Sequence, residues 1–558
     1  MKRRDFIKYL SGGLAGLAVG GTTRIPLIGL RGALASTTAW KFGVLADTQW
    51  VQRTGTDPGE YLSCAVTIID ALNEEFIRHG CKFVIQVGDL VDKESVDGVR
   101  SLPTRAAHAE ALYLNDIGFF PVRGNHEASQ TAAGEMLTLF PQTVGNSPYL
   151  FGAANFESPV MSSTSTDPAG ARLKGLSYSF DYENVRCVLI DQFTRIDGSS
   201  YNNSNNNNAV DQVEWVDAML SSRDSDSHAF VFAHKNLIGQ NHKDVLFGSN
   251  LTANSSARDD FLSSLYSNRA GYYLGGHDHM HHRSIVTTSD RLSSASQIIC
   301  SSNSYKFYIP QSGDDGRETP LQQELFTIGY YIFTIDGPRV TVDFYSSSHG
   351  SDYGDLNLLY APGFNFYLRE TFGYSLNGKQ FQIAQGESYT SIKDSYGSTT
   401  ARILSGTNGN TETDYLGRDL TKIVNTGWSA PLVDDAAASN VLSLWGMADN
   451  LSLYDENLTG LLPDSAESKE GDVFTLSLTY DSKKVRPSQL VSGKFGLAAR
   501  NESGAWINAV ETNSGGSKTF KYGPWRSTYG LGTYGVDPST RTVWAVVNHD
   551  GDFVAKSI

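Results

Sequence analysis

Cysteine is scarce: the chain has four in 558 residues. That is too few for a disulfide scaffold. Cys187 and Cys300 fall inside apolar, strand-like runs where buried thiols are common, and all four read as core residues, although Cys64 and Cys81 remain open to pairing. Long apolar runs are also missing. The Gly-rich stretch after Lys8 is interrupted by glycines and Pro26 well short of the roughly 20 residues that span a bilayer. Positive charge is in deficit, with 45 Lys and Arg against 60 Asp and Glu and a formal net charge of −15. Polynucleotide backbones select basic surface, so no nucleic-acid partner is expected, and an anionic substrate would need local positive charge such as metal ions supply. There is no Gly-x-Ser-x-Gly elbow and no phosphate-binding P-loop. Gly530–Gly535 formally matches a dinucleotide fingerprint, but no helical pattern follows it.

What is present has the texture of a globular protein of several domains, 40% hydrophobic and 19% charged. Met1-Lys2-Arg3-Arg4-Asp5-Phe6-Ile7-Lys8 has the form of a twin-arginine leader, and Ala33-Leu34-Ala35 offers a small-x-small cleavage site. Residues 1–35 are therefore expected to direct export through the twin-arginine machinery to the periplasm or beyond. Their loss would leave a chain near −20, because they carry six basic residues and one acidic.

From Lys41 to about Ser346, short apolar runs alternate with amphipathic segments. Strands are expected at 41–46, 83–87, 119–122, 185–190, 228–233 and 272–274, with helices at 61–79, 104–115, 210–220 and 257–266. This alternation predicts a layered α/β domain over 36–350. Further strands are expected at 283–287, 297–301, 326–335 and 340–346, with Asp336-Gly337 as a hairpin turn. Residues 351–558 are rich in Gly, Ser, Thr, Asn and Tyr, with alternating runs such as 474–480 and 543–547, and predict a β-rich C-terminal domain. Trp525, Tyr529 and Trp544 there are compatible with stacking on a glycan, or with a β core.

The chemistry concentrates where the early strands end. Asp47-Thr48-Gln49 closes the first, Gly88-Asp89-Leu90-Val91-Asp92 the second, and Gly124-Asn125-His126-Glu127 the third. His234 follows the strand near 230, and Gly276-His277-Asp278-His279 the next. Ligands of open α/β sheets collect outside the carboxyl ends of strands, so these groups can converge across two hundred residues. Carboxylate, amide and imidazole without thiolate suit divalent ions such as Mn, Fe or Zn. The donors exceed what one ion needs, which points to two ions sharing a carboxylate.

This ordered set resembles the calcineurin-like metallophosphoesterases. The resemblance implies a β-sandwich flanked by helices, a first metal held by Asp47, Gln49, Asp89 and His279, and a second held by Asp89, Asn125, His234 and His277. It implies that Asp89 bridges, that His126 stands beside the leaving group, and that Asp92 orients the catalytic groups without touching metal. The implied reaction is attack of a metal-bridging hydroxide on a small phosphate ester. Gln49 stands where most members of the family have histidine, a form similar to that of ADP-ribose and CDP-alcohol diphosphatases, which favours a diphosphate or diester. Trp50, Arg53 and Arg123 are candidates for the rim of the site, where they would bind substrate, with surface packing as the alternative. His242 matches no motif, and His281 and His282 read as a solvated turn. The alternative to an enzyme is a non-catalytic phosphate-ester binding or surface-interaction protein whose C-terminal β region makes glycan or surface contacts.

Overall fold

A computed structural model describes residues 39–50, 60–159, 173–196, 207–304, 306–311, 313, 316–348, 364–389, 391–407, 412–431, 436–447, 472–501 and 503–558. The expected export leader lies outside them, as does Arg53. No helix among the described residues is long and apolar enough to cross a membrane.

Two sheets form the centre of the N-terminal part. The first has six strands in the order Tyr367–Ser375, Arg339–Ser348, Thr327–Asp336, Trp40–Leu45, Phe83–Val87 and Gly118–Val122. Its last three strands run parallel, with Val44 opposite Ile85 and Ile85 opposite Phe120. The pairing of Tyr367–Ser375 with Arg339–Ser348 carries this sheet beyond residue 350. The Thr327–Asp336 and Arg339–Ser348 hairpin closes through Gly337 and Pro338, one residue beyond the turn expected from sequence. The second sheet has eight strands, and Val185–Ile190, His228–Ala233, Tyr272–Gly275 and Ser294–Ile299 run parallel within it.

These strands are continuous apolar runs because both of their faces are covered. Trp40, Phe42 and Val44 point into a cluster shared with Phe230, Leu274 and Phe333, which joins the two sheets face to face. Phe42 lies between Phe83 and Phe333, with ring centroids 4.9 and 4.6 Å away. Leu45 points the other way, toward the helix Val66–His79. That helix packs so closely that a side chain at Gly43 would come within 2.4 Å of the Phe76 ring. Helices Val213–Ser221 and Ser255–Ser267 cover the far face of the second sheet. The layers run helix, sheet, sheet, helix, the flanked sandwich that the resemblance implies and a layered α/β arrangement as the alternation predicted. The four cysteines are buried.

The C-terminal half is β-rich, also as expected. One sheet contains Lys422–Ser429, Val441–Trp445, Phe495–Arg500 and Gly551–Ser557, and another contains Thr399–Thr407, Phe474–Thr479, Thr533–Asp537 and Thr542–Val547. Both contribute to one apolar cluster that includes Val424, Trp428, Leu476 and Phe553. Trp544, a candidate for glycan stacking, is buried, and its ring stacks on Tyr529 at 5.5 Å.

Two expectations follow from the packing. Phe42→Ala removes the ring between Phe83 and Phe333, and urea denaturation should show a loss of about 3–5 kcal/mol. His228 is buried and donates through Nε2 to the Gly337 carbonyl at 2.9 Å, so Nδ1 accepts from the Tyr374 hydroxyl at 3.1 Å. Burial pulls its pKa from the ordinary 6.5 down to about 4. The unfolded chain therefore takes up this proton at a higher pH than the folded one, and stability contributed by the neutral ring is lost as pH falls from 6.5 toward 4. Denaturation curves across that range should steepen this loss in the native chain relative to His228→Gln.

Candidate metal centre

The parallel strands of the two sheets end along one edge of the sandwich, and each hands its next residues to the same place. Asp47 follows Trp40–Leu45, Asp89 follows Phe83–Val87 and Asn125 follows Gly118–Val122. His234 and His277 follow the corresponding strands of the second sheet. Turning so sharply off a strand has a conformational cost. Asp47, Asp89, His277 and His279 all have left-handed φ, of 53°, 42°, 70° and 55°. Such backbone costs on the order of 1–3 kcal/mol per residue and persists only where surrounding structure imposes it. Here the loops brace one another: Thr48 N–H donates to the Asp89 carbonyl at 2.9 Å, and Gly276 N–H to the His234 carbonyl at 2.8 Å.

The motif glycines permit the crowding. A Cβ on Gly124 would stand 1.9 Å from Asp89 Oδ1, and one on Gly276 would stand 2.5 Å from Asp47 Oδ2. Glu127, the last residue of the Gly-Asn-His-Glu motif, ties the third loop to the second by accepting from the N–H groups of Val91 and Gly124, each at 2.9 Å. Burial, reinforced by the neighbouring Asp89, pushes its pKa up to about 7.

Within this frame Asp89, His234 and His277 present ligand atoms within 4.8 Å of one another, as do Asp47, Asp89 and His279. Asp89 belongs to both groups, and all five residues are buried. The hydrogen bonds set the direction of the imidazole lone pairs. His234 Nδ1 faces the Val87 carbonyl at 3.2 Å, which can only accept, so Nδ1 carries the proton and Nε2 is a bare acceptor. Nε2 nevertheless stands 2.8 Å from Asn125 Oδ1 and 3.3 Å from Asp89 Oδ1. His279 repeats the pattern, with Nδ1 donating to the Lys306 carbonyl at 2.9 Å and Nε2 turned toward Asp47 Oδ1 at 3.5 Å. Gln49 places its amide between Asp89 and His279, at 2.9 and 3.2 Å, and its Oε1 is buried without a hydrogen-bond partner.

Buried acceptors that face one another need a cation between them. A proton can serve: Asp89 holds the His234 pKa up at about 9 despite burial. Burial raises the Asp47 carboxyl well above its ordinary range, whereas at Asp89 the opposing burial is overcome by His234 and His126, which hold it well below. Burial also lowers His277 to about 4, keeping it neutral as a ligand must be. The donor set fits two divalent ions: Asp47, Gln49, Asp89 and His279 would hold one, and Asp89, Asn125, His234 and His277 the other.

His126 sits at the open side, about a quarter exposed. Its Nδ1 donates to the Asp92 carbonyl at 2.6 Å, which turns Nε2 toward the centre, 3.8 Å from Asp89 Oδ2. The Asp92 carboxylate takes Lys306 Nζ at 2.7 Å. Two rim expectations are corrected. Trp50 is fully buried in the core beside Leu45 and Ile68, because the chain after Asp47 turns inward. Arg123 is also fully buried, and its guanidinium is consumed by Asp191, Thr194 and the carbonyls of Glu127 and Ser129. His281 and His282 form no solvated turn. They lie buried in the strand His281–Thr287, paired to Glu370 and Glu318.

Three supporting groups were not identified from the motifs. The buried Asp278 carboxylate accepts His242 Nδ1 at 2.8 Å, and the His242 ring stacks on His277 at 4.1 Å. Asp244 Oδ2 lies 3.5 Å from His277 Nε2. Only the position of Asp278 between two expected ligands could have drawn attention to it. Metal analysis should find that Asp89→Asn loses both ions, and that Gly124→Ala, which displaces the Asp89 carboxylate, lowers occupancy at both positions while Asp47→Asn lowers it at one.

Residues 41–281, which contain every expected ligand, match the family model for calcineurin-like phosphoesterases. No curated protein matches the chain significantly. Among solved structures, a dimetal phosphatase from Danio rerio is similar at 17% identity, over 54% of this chain and 95% of its own, with a TM-score of 0.33. A purple acid phosphatase from yellow lupin (Lupinus luteus) seeds is 12% identical over 61% of this chain and 54% of its own, with a TM-score of 0.37. PhoD is 12% identical over 62% and 71%, with a TM-score of 0.36. Residues 41–281 are thus similar to the calcineurin-like phosphoesterases, and the paired candidate ligand groups within them fit a metal-dependent phosphoester hydrolase.

Proposed function

We propose that the protein is an exported phosphoesterase for small anionic esters, with a diester or diphosphate favoured over a monoester. The observation that carries this reading is the pair of buried ligand groups sharing Asp89 beside a partly exposed histidine. Two divalent ions, of Mn, Fe or Zn, would supply an activated water and neutralise phosphoryl charge there. The chain's own contribution is orientation and proton delivery. The Asp92 carbonyl accepts from His126 Nδ1 and so turns Nε2 toward the centre, where the protonated imidazolium would deliver its Nε2 proton to the departing oxygen. Lys306, paired with Asp92, adds positive charge on the same side, where a second phosphate or an ester arm would lie. The −15 net charge of the chain disfavours a polynucleotide and suits a small substrate. The Asp-x-Gln form of the first motif supports the diphosphate or diester preference. The leader in residues 1–35 supports export.

Three measurements test this. A panel of phosphomonoesters, diesters and nucleotide diphosphates, offered to metal-loaded protein, should show fastest turnover among the latter two; no turnover on any of them would instead favour a phosphate-ester binding protein. His126→Ala should retain both ions by metal analysis and lose about 10²–10⁴-fold in kcat. Secreted protein should begin at Ser36, and Arg3→Lys with Arg4→Lys should hold it in the cytoplasm.

A further inference from the structure

The turn around Asp414–Leu420 belongs to the C-terminal half of the chain, more than 130 residues beyond the last expected ligand, His279. It is tightly built. Asp414 accepts the N–H groups of Leu416 and Arg418 at 3.0 and 2.9 Å, and Leu420 N–H returns to the Glu412 carbonyl at 3.1 Å. It docks on the strand Glu318–Glu324: Tyr415 N–H donates to Gln323 Oε1 at 2.8 Å and Thr421 N–H to the Pro320 carbonyl at 3.0 Å.

From this turn Arg418 reaches inward with all three guanidinium nitrogens engaged. Nε meets Asp414 Oδ2 at 2.6 Å, Nη1 meets Glu318 Oε2 at 2.5 Å, and Nη2 meets Gln240 Oε1 at 2.8 Å. Gln240 is fully buried, and its side-chain amide donates to Glu318 Oε1 at 2.8 Å. Its backbone N–H donates to Asp278 Oδ2 at 2.6 Å. Asp278 in turn holds His242 through both the backbone N–H and Nδ1, and His242 stacks on His277. An unbroken series of contacts therefore runs from Arg418 to an imidazole of the metal centre.

We propose that Arg418 is a positioning residue of the phosphoesterase site, holding Gln240 so that Asp278 and His242 keep His277 in place. Planar, three-partner recognition of this kind is specific to guanidinium; an ammonium reaches fewer partners at once. Groups that orient a metal-binding histidine typically affect metal affinity or turnover by about 10–100-fold. The C-terminal half is on this view a working part of the site.

The proposal rests on the binuclear hydrolase reading, and the experiment separates the two. Native protein, Arg418→Lys and Arg418→Gln/Glu318→Gln are compared by thermal melting, by calorimetric titration with Mn²⁺, and by kcat and KM on bis(p-nitrophenyl) phosphate. Arg418→Lys should melt near the native chain, bind its weaker Mn²⁺ about tenfold less tightly and lose about tenfold in kcat, with KM within about twofold. The double variant removes the buried charge pair together, and should also melt near the native chain while showing the loss of kcat and Mn²⁺ affinity. In a His242→Phe background, Arg418→Lys should add less than about twofold to the loss of Mn²⁺ affinity, because the route is already cut. Unchanged Mn²⁺ affinity and kcat in Arg418→Lys would overturn the proposal, as would native Mn²⁺ affinity and kcat in the double variant or full additivity with His242→Phe. A native protein that binds Mn²⁺ but turns over no ester would sink the hydrolase reading, while the titrations would still decide the role of Arg418.

Discussion

Everything at the catalytic edge follows from one electrostatic constraint: buried carboxylate oxygens and imidazole nitrogens converge there in excess of the donors, such as the Gln49 amide and the His126 N–H, that reach them. Asp89 stands at the centre of that arrangement, within reach of His234, Gln49 and the His126 backbone. Two carboxylates taken out of water beside each other cannot both stay ionised without a counter-charge. The opposite displacement of Asp47 and Asp89 expresses that tension. Divalent ions resolve it more completely than protons can, because each satisfies several acceptors at once.

Holding acceptors in such proximity requires a frame stiffer than the forces that would separate them. The sandwich supplies it. Its aromatic interior, with Phe42 wedged between Phe83 and Phe333, ties the sheets together, and their parallel strands end along one edge. Arg123 stitches the two sheets near the centre by joining the third loop to Asp191. The left-handed backbone at four ligands is tolerated because the loops around it have nowhere else to go. Beyond the ligands, further layers of carboxylate, amide and guanidinium continue outward to Arg418, so the β-rich half abuts the same edge.

Much of this was legible before any coordinates. Strands buried on both faces betray themselves as uninterrupted apolar runs, and helices between them by their 3.6-residue period; residues 83–87, 185–190 and 228–233 were placed to the residue. The ligand types were legible for a related reason. A single acid after a strand is commonly a turn or cap residue, but five strand ends in succession that carry an acid, amide or imidazole share one explanation. Burial of individual polar residues was not legible. Arg123 and Trp50 have the chemistry of a rim, yet whether a side chain points out or in depends on partners such as Asp191, distant in sequence. The same blindness applied to His281 and His282, whose strand is covered by Glu318 and Glu370.

The sequence by itself determined the layered α/β class, the β-rich C-terminal region and the residue types that meet in the candidate metal centre, because periodicity and residue type are local properties of the chain. Tertiary structure alone decided which nitrogen of each imidazole faces the centre, and which charges are spent on internal pairs. It also decided that His242, Asp278 and Arg418 stand behind the ligands. Those outcomes depend on contacts between segments tens to hundreds of residues apart, and only the packing of the two sheets brings such segments within hydrogen-bonding distance.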